Sequence, residues 1–208
     1  MNRIYLLSPT KFDETISNPT IQIQFLDPEI DFSEIDTLIF TSKNGVEAVN
    51  RISEDWKKYP AVAVGKKTKK AVLKFGGKIL ATSSGNGESL EKLILEKFKD
   101  KKFLYFRPQK VAREIGKNLQ NFGVFKKEEI VYQTVCKKSN AIEKNSFIIA
   151  TSPLSVKCLF KNSEVPNDAI FIAIGETTKK AIPDHFQIFV ANEQSLESCF
   201  KLYKKISK

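Results

Sequence analysis

The sequence predicts an α/β protein with two parallel sheets of five strands each, covered by helices on both faces. Two observations carry that prediction. Short apolar runs rich in Ile, Val and Phe alternate with amphipathic stretches of helical length, as strands do with crossover helices. The chain also repeats itself at one fixed spacing. Ile39-Phe40-Thr41-Ser42 followed by Val46 returns as Ile149-Ala150-Thr151-Ser152 followed by Val156. Ala63-Val64-Gly65 with Thr68 and Ala71 returns as Ala173-Ile174-Gly175 with Thr178 and Ala181. Thr41 to Thr151 and Gly65 to Gly175 are each 110 positions. One offset shared by two motifs means two similar folding units, with matching loops that answer each other around one site between them.

Strands are expected at Ile4–Leu7, Ile21–Phe25, Thr37–Thr41, Ala61–Val64 and Lys78–Ala81. A second set follows at Lys102–Phe106, Glu129–Val135, Phe147–Ala150, Ala169–Ile174 and Gln187–Val190. Helices are expected near Lys43–Arg51, Lys66–Phe75, Glu88–Phe98, Lys110–Phe122, Leu154–Phe160, Glu176–Ile182 and Leu196–Ile206. In the third of these, Leu90, Leu93, Ile94 and Phe98 recur at helical spacing while Glu91, Lys92, Glu96 and Lys97 face water. Gly76-Gly77 and Gly123 are helix stops. Gly85-Asn86-Gly87-Glu88-Ser89 reads as the cap of the helix that begins near Glu88. The polar segments Asp27-Pro28-Glu29 and Lys137–Lys144 are where the two halves would be joined.

The chain has 208 residues, 41% of them hydrophobic and 28% charged, which suits two small globular domains with real cores. No apolar run approaches the roughly 20 residues that span a bilayer. The start lacks the features of a signal peptide. Cys136, Cys158 and Cys199 are far apart and odd in number, so they read as separate reduced thiols in a cytoplasmic protein. A single histidine, His185, makes a protein-built zinc site or a catalytic triad improbable. The net charge of +10 suits an acidic partner. Only four of the 34 basic residues are arginine, which favours a small polyanion over nucleic acid.

Four strand ends run directly into small polar residues and then a helix. They are Thr41-Ser42-Lys43-Asn44-Gly45, Gly65-Lys66-Lys67-Thr68, Thr151-Ser152-Pro153-Leu154-Ser155 and Gly175-Glu176-Thr177-Thr178. Ligands of parallel sheets bind beyond the carboxyl ends of the strands, where open helix ends attract anions. Plain N-capping would explain any one of the four. The same pair of motifs appearing twice favours a site. No phosphate-binding fingerprint is present. Tyr132, in Val131-Tyr132-Gln133-Thr134, is either a buried strand residue or a phenol able to donate a proton. Arg107, after Phe103–Phe106, is either a carboxylate grip or a surface charge. His185 reads as an exposed loop residue.

Taken together, these residues resemble the uroporphyrinogen-III synthase family over nearly the whole chain. The carriers are Phe40-Thr41-Ser42-Lys43-Asn44-Gly45-Val46-Glu47-Ala48, Val64-Gly65 with Thr68, Leu104-Tyr105-Phe106-Arg107, Val131-Tyr132-Gln133-Thr134, Thr151-Ser152-Pro153 and Ala173-Ile174-Gly175-Glu176-Thr177-Thr178. The resemblance implies two flavodoxin-like domains joined by a two-stranded connection. The first would be discontinuous, residues 1–28 plus 137–208, and the second would be 29–136. It implies a reaction without metal or cofactor, in which the linear octacarboxylate tetrapyrrole hydroxymethylbilane is closed with inversion of ring D and loss of water. The bilane would lie in the cleft between the domains. By the same resemblance, binding falls to Ser42, Asn44, Gly45, Thr68, Arg107, Ser152, Leu154, Ser155, Thr177 and Thr178, and catalysis to Tyr132. Lys43 and Lys66-Lys67 are more basic than the usual neighbours and stand ready for carboxylates. Leu7-Ser8-Pro9 lacks the arginine that many relatives carry there. A monomer is implied, cytoplasmic, with no nucleic-acid or membrane partner, and with transient handover from the preceding deaminase. The rival reading is a non-catalytic two-domain binder of a small polyanion.

Overall fold

The computed structural model describes residues 3–207. The outermost positions of the expected first domain, 1–2 and 208, lie outside the described residues.

In chain order the elements begin with β1 (Ile4–Leu6), β2 (Ile16–Ser17), β3 (Ile21–Phe25), β4 (Thr37–Phe40) and α1 (Lys43–Ile52). A short 3-10 turn at Asp55–Lys58 precedes β5 (Pro60–Val64), α2 (Gly65–Lys74), β6 (Lys78–Ser83) and α3 (Gly87–Lys97). Next come β7 (Phe103–Pro108), α4 (Ile115–Asn121), β8 (Phe125–Cys136), β9 (Phe147–Ala150) and α5 (Pro153–Asn162). The chain closes with β10 (Ile170–Ala173), α6 (Glu176–Lys179), β11 (Gln187–Val190) and α7 (Leu196–Ile206).

Two compact units result. One runs through Gln22 and resumes at Val135, and the other is Ile23–Thr134. The crossings fall inside β3 and near the end of β8, two paired strands.

In the first unit the sheet order is β2-β1-β9-β10-β11, parallel throughout. Counted along its own chain that is 2-1-3-4-5, the flavodoxin-like order. In the second unit β6-β5-β4-β7-β8 gives 3-2-1-4-5, again parallel. Its sheet holds six strands, not the expected five, because β3 adds at the edge beside β8. The Leu26 N–H donates to Val131 O and the Lys137 N–H to Thr20 O, so these two strands run antiparallel. A connection needs partners for its backbone groups, and the neighbouring strand supplies them.

Strand alternation puts one side chain in two on each face, and both faces are buried. In the second unit Leu38, Phe40, Leu104 and Phe106 pack with Val46 and Val49 of α1, Val72 of α2 and Trp56. On the opposite face Ile39, Val62, Phe103 and Tyr105 pack with Leu90 and Ile94 of α3 and Leu119 of α4. The first unit repeats this plan. Tyr5, Ile148 and Ala150 lie under α5, and Ile4, Leu6, Ile149 and Ile172 lie under α7.

The internal repeat extends further than the motifs. β4 with α1 and β9 with α5 have the same bounds at the offset of 110, down to the helix ends. There Ser53 N–H caps Val49 O as Ser163 N–H caps Leu159 O.

Four expectations need correction. Glu91, expected to face water, is buried and accepts from Arg113 and Asn118. Strand β2 was not foreseen, since two residues beside β1 give no periodic signal. The helix expected over 110–122 is only Ile115–Asn121, because the preceding segment turns so that Arg113 can reach Glu91. Cys136 and Cys158 are not separate thiols but a disulfide joining the end of β8 to α5, with Cα atoms 5.2 Å apart. Their 22-residue separation concealed that these two elements meet. Cys199 is free and buried on the inner face of α7, and its burial pushes the thiol pKa up to about 11. Among the described residues no helix is long and apolar enough to cross a membrane.

Candidate active site

In each unit the strand order reverses beside the unit's first strand, and there the Thr-Ser step is placed. In the second unit the reversal lies between β4 and β7, next to Thr41. In the first it lies between β1 and β9, next to Thr151. Such switch points open a crevice at the carboxyl ends of the strands, the usual ligand position in this fold class.

At the second unit's switch point two tyrosines stand together. Thr41 Oγ1 and the Tyr105 hydroxyl are 3.2 Å apart and hydrogen bonded. The Ser42 side chain stands beside the Tyr132 hydroxyl, close enough to lower its pKa. Tyr132 lies opposite Pro108 in the β7–β8 register, and its carbonyl accepts from the Gln109 N–H at 2.9 Å. Its ring packs over Gly45, where an added Cβ would sit 3.8 Å from Tyr132 Cε1 and 3.3 Å from the Phe106 carbonyl. Both tyrosines are buried. Burial pushes the Tyr132 phenol above its ordinary pKa, the Ser42 side chain opposing part of the rise. Tyr105 is raised by burial too, with the Thr41 hydrogen bond acting against it. Both phenols are therefore neutral proton carriers at physiological pH.

Ser42 has a second task. It is the N-cap of α1 and its side chain accepts from the Asn44 N–H at 3.1 Å. The head of α1 contains no acidic residue; the Asn44 N–H is held by Ser42 Oγ and the Gly45 N–H by the Ser42 carbonyl, so its first N–H, at Lys43, is the one left for a ligand. Asn44 is half-buried and Gly45 fully buried. Thr68, in the first turns of α2, is also buried.

Arg107 has little freedom. Its guanidinium pairs with Glu128 at 2.7 Å and donates to the Pro108 and Gln109 carbonyls. Its Nε is buried and without a partner among the described residues.

The first unit's counterpart is more closed. Ser152 caps α5 in a full capping box, accepting from the Ser155 N–H while Ser155 Oγ accepts from the Ser152 N–H. Ser155 Oγ also donates to the Ser152 carbonyl at 2.7 Å, so that hydroxyl is fully engaged. Leu154 is exposed at the helix head. Thr151 Oγ1 donates to the Leu7 carbonyl at 3.2 Å, across the first unit's own switch point. Thr177 is exposed and Thr178 buried in α6.

The structure thus brings Ser42, Asn44, Gly45 and Tyr132 into one cluster in the second unit, with Thr68 and Arg107 on neighbouring elements of that unit. Ser152, Leu154, Ser155, Thr177 and Thr178 lie in the first unit. Sequence reasoning passed over Tyr105 as a strand residue. The signal was its place one strand from Thr41, which only the sheet order exposes. The capping expectation for Asn86 holds, since Asn86 and Ser89 form a capping box at the head of α3. His185 is exposed against the Phe186 ring.

Similarity to known proteins points one way. The profile of the uroporphyrinogen-III synthase HemD family matches residues 13–201. The fold is similar to that of a uroporphyrinogen-III synthetase from Helicobacter pylori, at 24% identity and a TM-score of 0.78, over 99% of this chain and 100% of that one. A mutant uroporphyrinogen III synthase from the extremely thermophilic bacterium Thermus thermophilus aligns over 99% of this chain and 98% of its own, at 13% identity and a TM-score of 0.55. No curated sequence matches at a significant level. A match over nearly the whole length, on a fold that carries the repeated switch-point motif in both halves, places this chain in the uroporphyrinogen-III synthase family, enzymes that close a linear tetrapyrrole into a ring.

Proposed function

We propose that the second unit's tyrosine centre drives the loss of water that starts ring closure. The observation that carries this reading is the buried, neutral Tyr132 phenol, standing beside Ser42 at the head of α1.

A hydroxyl group leaves poorly as hydroxide and well as water, so its departure needs a proton donor in contact. Tyr132 supplies that proton as the C–O bond of the terminal hydroxymethyl breaks. The electron pair comes from the pyrrole ring, whose N–H proton is released in turn and restores the phenol. The sum is loss of one water and formation of a neutral azafulvene. Its methylene carbon is then attacked by the substituted carbon of ring D, giving the spiro intermediate whose collapse and reclosure inverts that ring. Burial that keeps the phenol protonated favours the donor role.

Uncatalysed closure gives the uninverted isomer, so the remaining task is to hold one geometry. In this reading the carboxylate arms are taken by N–H groups at the heads of α1 and α5, near Asn44 and Leu154, and by the hydroxyls of Ser42, Ser152 and Thr177. Gly45, Thr68, Ser155 and Thr178 shape those loops from within. Arg107 acts through its carbonyl and Glu128 contacts, as a brace. The two units serve as two domains of one monomer. Its bilane comes from the preceding deaminase, released or handed over directly.

The test is to incubate the purified protein with freshly generated hydroxymethylbilane, oxidise the products and separate the porphyrin isomers. Predominant type III isomer is the expected outcome. Type I alone from folded protein would overturn the reading.

A further inference from the structure

The second unit also carries a pocket that the tyrosine centre does not use. It lies at the carboxyl ends of β5 and β6, has a volume of about 500 Å³, and is lined by Gly65, Lys66, Thr82, Ser83, Ser84 and Gly85.

Two features point to an anionic occupant. Ser83 Oγ and Thr82 Oγ1 are buried without a hydrogen-bond partner among the described residues, and Ser83 is only 5% exposed. Buried hydroxyls in folded proteins are nearly always paired, because leaving one unpaired costs stability. Here the partner has to come from outside the chain. The ten-residue helix α2 starts at Gly65 with no side-chain cap, so its first N–H groups and its positive end are open. Gly65 at φ +74° and Gly85 at φ +134° hold backbone conformations that side chains disfavour, and a Cβ added at either would meet nothing within 4 Å. The backbone conformation itself is what requires glycine at these two positions, and it leaves the space over them open.

The buried Ser83 hydroxyl, a helix head and the Lys66 ammonium together suit a carboxylate, which offers two acceptor oxygens and one charge. We propose that this pocket binds one carboxylate arm of the linear tetrapyrrole, with Ser83 donating to one oxygen, the head of α2 facing the other and Lys66 neutralising its charge. The proposal rests on the cyclase reading above and extends it to residues outside the tyrosine centre.

The experiment compares Ser83→Ala, Lys66→Ala and Lys201→Ala, the last removing an exposed charge from α7 in the other unit. Each is assayed for type III isomer from freshly generated hydroxymethylbilane and for Tm by circular dichroism. Losing a hydrogen bond or ion contact to a bound carboxylate raises KM by about tenfold for Ser83→Ala and Lys66→Ala, with kcat nearly retained. Lys201→Ala keeps both constants. The Ser83→Ala Tm is expected unchanged or higher, since an unpaired hydroxyl has been removed. A KM unchanged in both pocket variants overturns the proposal. So does a fall in the Ser83→Ala Tm without a KM effect, which makes the hydroxyl structural. Citrate is titrated in parallel to test for a free anion. If citrate raises the wild-type Tm, loses that effect in Ser83→Ala and leaves KM unmoved, the pocket serves a free carboxylate and the substrate-arm proposal fails. Wild-type protein yielding only type I isomer would remove the cyclase reading itself, and the arm with it. Type III product with unmoved KM removes the pocket assignment alone.

Discussion

Ser42 and Ser152 occupy the same place in the two units, each at the head of a ten-residue helix that follows a buried strand. Ser152 is enclosed by a capping box, a proline in the first turn and a second bond from Ser155 to its carbonyl. Ser42 caps only the Asn44 N–H and stands beside the Tyr132 phenol, whose pKa it lowers. The next helix heads differ in the same sense. Gly175 is extended at φ −177° with Gln194 packed against it, while Gly65 is left-handed and faces open space. A duplicated fold has therefore spent its polar groups differently. The first unit closes the head of α5 with a capping box, and the second keeps a simpler cap beside a neutral phenol.

Tyr132→Phe tests that difference most severely. Removing a general acid lowers turnover by about two orders of magnitude, while the ring continues to fill its place over Gly45. Type III formation per folded enzyme is the readout, and turnover within about threefold of wild type would strip Tyr132 of its role. Burial holds the phenol above its ordinary 10.0, so it stays protonated through the neutral range. Any decline in turnover as pH rises below that value must come from another group.

The helices that close the two units sharpen the contrast. α7 buries Cys199, Phe200 and Tyr203, whereas α3 buries Glu91 between Leu90 and Ile94. Burial opposes ionisation of Glu91, but hydrogen bonds from Arg113 and Asn118 outweigh it and hold the carboxyl below its ordinary 4.5. Glu91→Gln leaves Arg113 without its counter-charge and should cost about 2 kcal/mol at neutral pH. A carboxyl lowered on folding stabilises fully above its unfolded value and loses that contribution as pH falls through the folded one. The Tm gap between variant and wild type should therefore close as pH drops below about 4.5. A gap constant down to acid pH would mean the carboxylate charge is not what stabilises.

Most of the framework was legible because buried parallel strands are continuous apolar runs and because the repeat marks both units. Phe147–Ala150 is a strand of the bounds the sequence suggests, and Ser42 and Ser152 head helices as their spacing implies. What escaped depends on contacts distant in sequence. β3 belongs to the second sheet through Leu26–Val131 pairing, between residues far apart along the chain. Arg107 meets Glu128 across two strands, so its side chain is occupied where sequence left it free to grip a substrate. Tyr105 reaches Thr41 only because β7 pairs with β4. Ser83 carries no signal in the sequence, and its unpaired hydroxyl is a property of the folded neighbourhood.

Gly65→Ala and Gly175→Ala probe the helix heads at smaller cost. Alanine at Gly65 must adopt a left-handed conformation, which costs about 1–2 kcal/mol despite the open space. At Gly175 the backbone is extended, and a new Cβ meets only the flexible end of Gln194 at 3.3 Å, costing about 0.5 kcal/mol or less. Paired Tm measurements check this. Equal losses would mean the two heads are not conformationally distinct.

The finest comparison returns to the two serines. Ser152→Ala removes the acceptor for the Ser155 N–H and opens one half of a capping box, for a loss of about 1 kcal/mol. Ser42→Ala removes a single bond to the Asn44 N–H and should cost about 0.5 kcal/mol. Turnover is expected to rank them the other way. Without Ser42 the phenol loses the neighbour that orients it, and one such polar contact is worth about fivefold in kcat. Burial of Tyr132 is then opposed by nothing, so its pKa rises further in Ser42→Ala and not in Ser152→Ala. A crossover, with the larger Tm loss in one variant and the larger kcat loss in the other, is what unequal use of a duplicated cap requires. Parallel losses would mean that the Ser42 contact with Tyr132 is capping geometry by another name, and that the two units divide their polar groups equally after all.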